Sequence, residues 1–172
     1  MTLVALDAIG NACNKKKTIS KSFDGKSFEG TIPSCIFNLQ TLSTLTVSGN
    51  QISGTIPEIS LSSNLSVLSL AANRLTGSIP NSIQQYGKFK SIDFSNNRLY
   101  GNLSNFKVYD TTLSLSLQVN RLSGSIPKDV DGAQYINIFD GNNTKFTLES
   151  QYYYLLTYLL RKLILLLVCC RD

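Results

Sequence analysis

Acid–base catalysis near neutral pH draws first on histidine and then on carboxylates held in pairs, and this chain supplies neither arrangement. Its 172 residues include no histidine, which removes every serine or cysteine nucleophile activated by an imidazole. Asp93 lies at an outward strand slot, but the matching slots of neighbouring segments hold Thr46, Ser69 and Ser116, so hydrolysis by two acids has no constellation. Cys13, Cys35, Cys169 and Cys170 show no Cys-x-x-Cys pair and no histidine-containing spacing that a metal would use. Glycines recur once per repeat instead of clustering in a loop that cradles phosphate. The residue types predict a chain that is not an enzyme, with no catalytic residue, no metal and no cofactor.

Asparagine is the residue whose chemistry and spacing coincide. Asn50, Asn73, Asn97 and Asn120 each stand four residues before a glycine. Three of those glycines open a Gly-Thr/Ser-Ile-Pro block, as does Gly30, and Gly101 opens an altered copy, Gly101-Asn102-Leu103-Ser104. Every proline of the chain closes such a block: Pro33, Pro57, Pro80 and Pro127 follow one another at 24, 23 and 47 residues, the last interval skipping the altered copy. A fixed period in this range means a solenoid, in which each unit buries its apolar face only against its neighbours. A carboxamide both donates and accepts, so these asparagines are suited to satisfying backbone groups at a buried turn and would stack into a ladder.

The elements that position the asparagines are short strands. Apolar residues stand five and three before each: Leu45 and Val47, Leu68 and Leu70, Ile92 and Phe94, Leu115 and Leu117. A spacing of two puts both on one strand face, pointing inward, while the residues between and beside them point out. Leu42, Leu65 and Phe89 add a third apolar position eight before the asparagine, where the fourth unit has Thr112. Glycine then supplies a permissive φ, and Ile-Pro re-enters the core with φ already fixed. The outward slots include Thr46, Ser69, Asp93 and Ser116, with Lys90, Leu113 and Tyr135 beside them.

This pattern resembles the plant-type leucine-rich repeat, in which Asn-x-Leu-x-Gly-x-Ile-Pro follows a Leu-x-x-Leu-x-Leu strand. Residues 73–80, Asn73-Arg74-Leu75-Thr76-Gly77-Ser78-Ile79-Pro80, match it at every fixed position, and the resemblance runs from about residue 19 to 142. It implies an α/β repeat solenoid: a right-handed coil of about five to six units, with one parallel sheet on the concave face and irregular or 3₁₀ segments on the convex face. The expected organisation is a degenerate N-terminal cap over 1–18, the solenoid over 19–146 and an apolar tail over 147–172. The ends depart from the pattern. Lys26 replaces the first asparagine, Lys21 an inward strand residue, and nothing after Asn142 continues the motif.

The resemblance also implies a function: a non-catalytic module of the receptor-like-protein kind that recognises a protein, peptide or glycan at the cell surface or outside the cell. The expected contacts are Thr46, Ser69, Lys90, Asp93, Ser116 and Tyr135. Two other readings share the repeats, a truncated receptor remnant and a secreted inhibitor of a cell-wall enzyme. The formal charge of +5 comes largely from Lys15-Lys16-Lys17 and other cations without interleaved aromatics, so no nucleic-acid partner is expected. Sequons at Asn64 and Asn102 fall on loop positions and are glycosylation candidates, whereas that at Asn142 occupies a ladder slot. Residues 1–12 do not read as a signal peptide, because Asp7 interrupts the apolar run and no basic residue precedes it. The family usually carries a cysteine pair in its N-terminal cap. Cys13 and Cys35 are the candidates, with two unpaired thiols the expected state. The stretch 152–170 is long enough to span a bilayer but holds Arg161 and Lys162 at its middle, so a membrane segment, a folded-back cap and a shifted reading frame all stay open.

Overall fold

A three-residue strand buries only its middle side chain, and each coil of this protein begins with one. The computed structural model describes residues 20–60, 63–103, 105–107, 113–125, 135–137 and 145–146. Strands β1 (Ser20–Ser22), β3 (Thr44–Thr46), β5 (Val67–Ser69), β6 (Ser91–Asp93), β8 (Ser114–Ser116) and β10 (Tyr135–Asn137) form one parallel sheet in that order. Its register is the repeat itself: Leu45 lies opposite Leu68, Leu68 opposite Ile92 and Ile92 opposite Leu115. All four are no more than 1% exposed.

Behind this column the other repeat positions stack in parallel columns. Val47, Leu70, Phe94 and Leu117 form one, Ile52, Leu75, Leu99 and Leu122 a second, and Ile32, Ile56, Ile79 and Leu103 a third, all buried. Leu103 shows why the altered block survives: leucine fills the isoleucine slot and remains fully enclosed. The convex side is turned by a 3₁₀ segment, Ser34–Asn38, and by a single helical turn, α1 (Asn81–Gln84), each entered from a proline with φ near its fixed value, −66° at Pro33 and −56° at Pro80. Leu113, expected to point outward, is 3% exposed and belongs to the core. Ser95, also at a slot read as outward, is buried as well and bonds to Asp93.

The repeat also makes a second line of short parallel strands just past the asparagines, which the sequence pattern did not announce. Strand β2 (Glu29–Gly30) pairs with β4 (Gln51–Ile52), Thr55 bridges Thr76, and β7 (Tyr100–Gly101) pairs with β9 (Arg121–Gly124), which pairs with β11 (Lys145–Phe146). The six-stranded sheet is the expected concave one, and the second line is additional to it. The second arises because the backbone just past each ladder asparagine is extended and its N–H groups reach the coil before, as from Thr76 to the Gly54 carbonyl at 2.8 Å. Cys35 is disulfide-bonded, which corrects the expectation of a free thiol there. Its partner, the N-terminal cap, the ladder slot at Asn142 and the apolar tail all lie outside the described residues.

Close coil stacking makes the repeat glycines sensitive to a side chain. At Gly77, φ is +84° and a Cβ would meet the Thr55 methyl at 2.9 Å, whereas at Gly25 φ is +61° and a Cβ would meet nothing within 4 Å. Both substitutions strain the backbone, but only one also forces a neighbouring coil to shift. Gly77→Ala is expected to destabilise by about 2–4 kcal/mol and Gly25→Ala by about 1–2 kcal/mol, read from denaturant midpoints. Equal shifts would contradict the close approach.

Candidate functional site

The asparagine ladder fixes the rim on which the main sheet is hung. The Asn73 amide nitrogen donates to the carbonyls of Leu70 (3.1 Å) and Ala71 (3.1 Å) in its own coil and of Val47 (2.8 Å) in the coil before, while its oxygen accepts from the Ile52 N–H at 3.0 Å. Asn97 and Asn120 repeat this arrangement one and two coils on, the latter bonding Phe94, Leu117, Gln118 and the Leu99 N–H. Asn50 accepts two N–H groups, from Lys26 and Phe28, and donates to Phe23, Val47 and Ser48. A carboxamide is consumed at each of these positions, so the ladder is structural and offers nothing to a ligand.

With the rim fixed, the outward strand residues fall into register. Thr46 lies opposite Ser69, Ser69 opposite Asp93 and Asp93 opposite Ser116, so the expected row is a continuous line across four strands. All four are half-buried on the open face of the sheet. Adjacent strands lie about 4.8 Å apart, so the line runs roughly 14 Å between its end residues. Lys90 precedes β6 and is exposed. Tyr135 takes its place through the backbone, opposite Ser114 and hence in line with Ser91. It is therefore near the row but two strands away from the Lys90 segment.

Parts of this face are already engaged with themselves. The Ser48 and Ser69 hydroxyls share a hydrogen bond of 2.7 Å, and Ser66 Oγ donates to the Ser43 carbonyl at 3.1 Å. Asp93 Oδ1 accepts from the Ser95 hydroxyl at 2.6 Å and the Ser95 N–H at 3.0 Å. The result is a shallow, hydroxyl-rich surface carrying Asp93, with Asp24 bonded to Ser48 at its edge, suited to hydrogen bonding of an extended partner and, among the described residues, showing no nucleophile–base pair. Among the described residues no three or more His, Cys, Asp or Glu side chains come together as metal ligands. The sequon residues Asn64 and Asn102 are both exposed, and the Asn64 amide donates to the Gln40 carbonyl at 2.7 Å.

On the convex side, Tyr86 and Phe89 meet edge to face with ring centres 4.8 Å apart. The Tyr86 hydroxyl donates to the Ser63 carbonyl at 2.6 Å, and burial pushes its phenol above the ordinary range. These groups, with Ile92, Phe106, Lys107 and Leu113, line a crevice with room for about one water, which is packing between coils. Among the described residues no helix is long and apolar enough to cross a membrane.

Residues 41–62 and 64–86 match the leucine-rich repeat family model. No curated protein sequence matches the chain significantly. Among solved structures, it is similar to the leucine-rich-repeat ectodomain of the receptor kinase SOBIR1 from Arabidopsis thaliana, with 26% identity, a TM-score of 0.67 and coverage of 84% of this chain and 94% of that one. It is also similar to a pollen receptor kinase 3, with 25% identity, a TM-score of 0.65 and coverage of 81% and 68% respectively. A third likeness is to PEPR1, solved with AtPEP1, with 26% identity and a TM-score of 0.61. There the match covers 79% of this chain but only 23% of that one.

Proposed function

The chain is a leucine-rich-repeat protein of the plant type, and from that premise we propose that it is a non-catalytic module recognising a protein or peptide ligand at the cell surface or outside the cell. The observation that carries this reading is the cross-strand row itself. The central inward positions of β3, β5, β6 and β8 repeat as Leu45, Leu68, Ile92 and Leu115, while the outward positions in register with one another hold Thr46, Ser69, Asp93 and Ser116. That is a constant scaffold with one variable slot per coil, and stacked strands present such slots as an extended concave surface. The likeness to a receptor-kinase ectodomain, and to a plant peptide hormone receptor, RGFR1, solved in complex with RGF2, supports the same reading. Lys90 and Tyr135 flank the proposed contact region, and Asn64 and Asn102 are the proposed glycan acceptors.

Peptides selected from a random library on the immobilised chain provide the test. Arginine at Ser69 and Ser116 puts bulk and charge on both sides of Asp93 in the row without touching the core. The double substitution Ser69→Arg, Ser116→Arg is expected to weaken the selected peptides by about tenfold or more. Asn38→Arg, on the exposed convex side, is expected to leave them within about twofold. Peptides indifferent to the concave substitutions would remove the reading.

A further inference from the structure

The residue after each ladder asparagine leads into the second line of strands, and in three successive coils it is an arginine: Arg74, Arg98 and Arg121. All three are exposed, and among the described residues their guanidinium groups have no ion-pair partner. Arg98 and Tyr100 are both exposed on either side of the buried Leu99, so they project together, and the register places Tyr100 directly opposite Arg121. Tyr100 is 56% exposed, the one large hydrophobic so exposed among the described residues. The acid on this line, Glu29, lies in the first coil opposite Gln51. From Arg74 onward the described face is cationic, with hydroxyls, an amide and a single aromatic ring between the charges.

We propose that this second-sheet face binds an acidic segment of a protein partner, its Asp or Glu side chains on Arg74, Arg98 and Arg121 and an apolar residue against Tyr100. It concerns different residues from the concave row and can hold if that reading fails. Arg and Tyr are the side chains enriched where protein interfaces concentrate their energy, and the planar guanidinium takes a carboxylate bidentately. The backbone here is already committed: the N–H groups of Arg74, Arg98 and Arg121 bond the Ile52, Leu75 and Leu99 carbonyls at 2.8, 2.8 and 2.7 Å. A partner strand therefore cannot add to these positions, and side chains alone recognise it. One aromatic is too few for a base-stacking platform, so the surface favours a protein acid over a nucleic acid.

The experiment measures binding of a fluorescent oligoglutamate to the full chain at low salt, with oligoglutamine, an oligothymidylate and an oligouronate of equal charge as comparisons. The substitution set Arg74→Gln, Arg98→Gln, Arg121→Gln is expected to weaken oligoglutamate about tenfold, while Lys15→Gln, Lys16→Gln, Lys17→Gln, which removes the same charge, changes it less than about twofold. Unchanged thermal unfolding of the arginine set shows that a loss is not unfolding, since glutamine keeps the backbone bonds. Equal losses in the two sets would reduce the effect to net charge and overturn the proposal. So would tighter binding of the oligothymidylate or the oligouronate through the same arginines.

Discussion

Asn120→Ala is expected to lower the free energy of unfolding by about 3–5 kcal/mol. The residue is 1% exposed; its carboxamide serves the Leu117 carbonyl at 2.9 Å and the Leu99 N–H at 3.0 Å, and it shares the Phe94 carbonyl, at 2.9 Å, with Asn97. Alanine leaves the Leu117 carbonyl and the Leu99 N–H enclosed without the amide, at roughly 1–3 kcal/mol for each group left unsatisfied, offset in part by local relaxation. Asn73→Ala removes the same kind of amide from a half-buried position and is expected to cost about 1–3 kcal/mol. Asn81→Ala is the control. Its side chain is exposed and meets only Asn105, so it should shift stability by no more than about 0.5 kcal/mol. Denaturant midpoints at constant m-value check all three, and equal shifts would show that the asparagine register is wrong.

Leu68→Ala is expected to cost about 3–5 kcal/mol, at the upper part of the range for burying a methyl where leucine stood. Leu68 is fully buried and touches the register positions of Leu45 on one side and Ile92 on the other. A solenoid's stability is close to a sum of unit terms and nearest-neighbour interfaces, so a cavity here weakens two interfaces at once. The loss is a third or more of the total for a domain of ordinary stability. The unfolding transition should also broaden as the coils on either side uncouple. A single sharp transition with a cost below about 1 kcal/mol would mean that the column does not carry the stack.

What could be read from the sequence was whatever recurs as a side-chain type. The inward pairs, the asparagines and the Ile-Pro blocks are chosen by burial, so they announce themselves at every period, and the structure places them where the period put them. Positions set by backbone geometry were less legible. The residue before each ladder asparagine has φ of +67° at Gly49, +52° at Ala72, +55° at Asn96 and +57° at Val119. Only one of these four is glycine, so no pattern marks the left-handed turn that every coil needs, and a β-branched valine is held there by its neighbours. The second line of strands escaped for a similar reason: two residues of extended backbone bond to the coil before whatever their side chains are. Leu113 was misplaced because the strand slot was counted from Thr112, and the chain instead brings in the leucine one residue later.

The candidate surfaces divide along the same line. The concave row was legible because its slots are fixed by the inward residues beside them. The arginines were present in the sequence at the repeat spacing, immediately after Asn73, Asn97 and Asn120. Charge read by cluster, as at 15–17, hides them, whereas charge read by repeat position shows them. Counting one cation per coil would have found them.

At 18.9 kDa the chain is small enough for amide-resolved NMR, and mapping shift changes as a library-selected peptide is titrated tests the recognition reading most directly. The account predicts that perturbed amides cluster on Thr44–Thr46, Val67–Ser69, Ser91–Asp93 and Ser114–Ser116, across neighbouring strands of the main sheet. Perturbations confined to the convex segments Ser34–Asn38 and Asn81–Gln84, with the four strands unmoved, would contradict it.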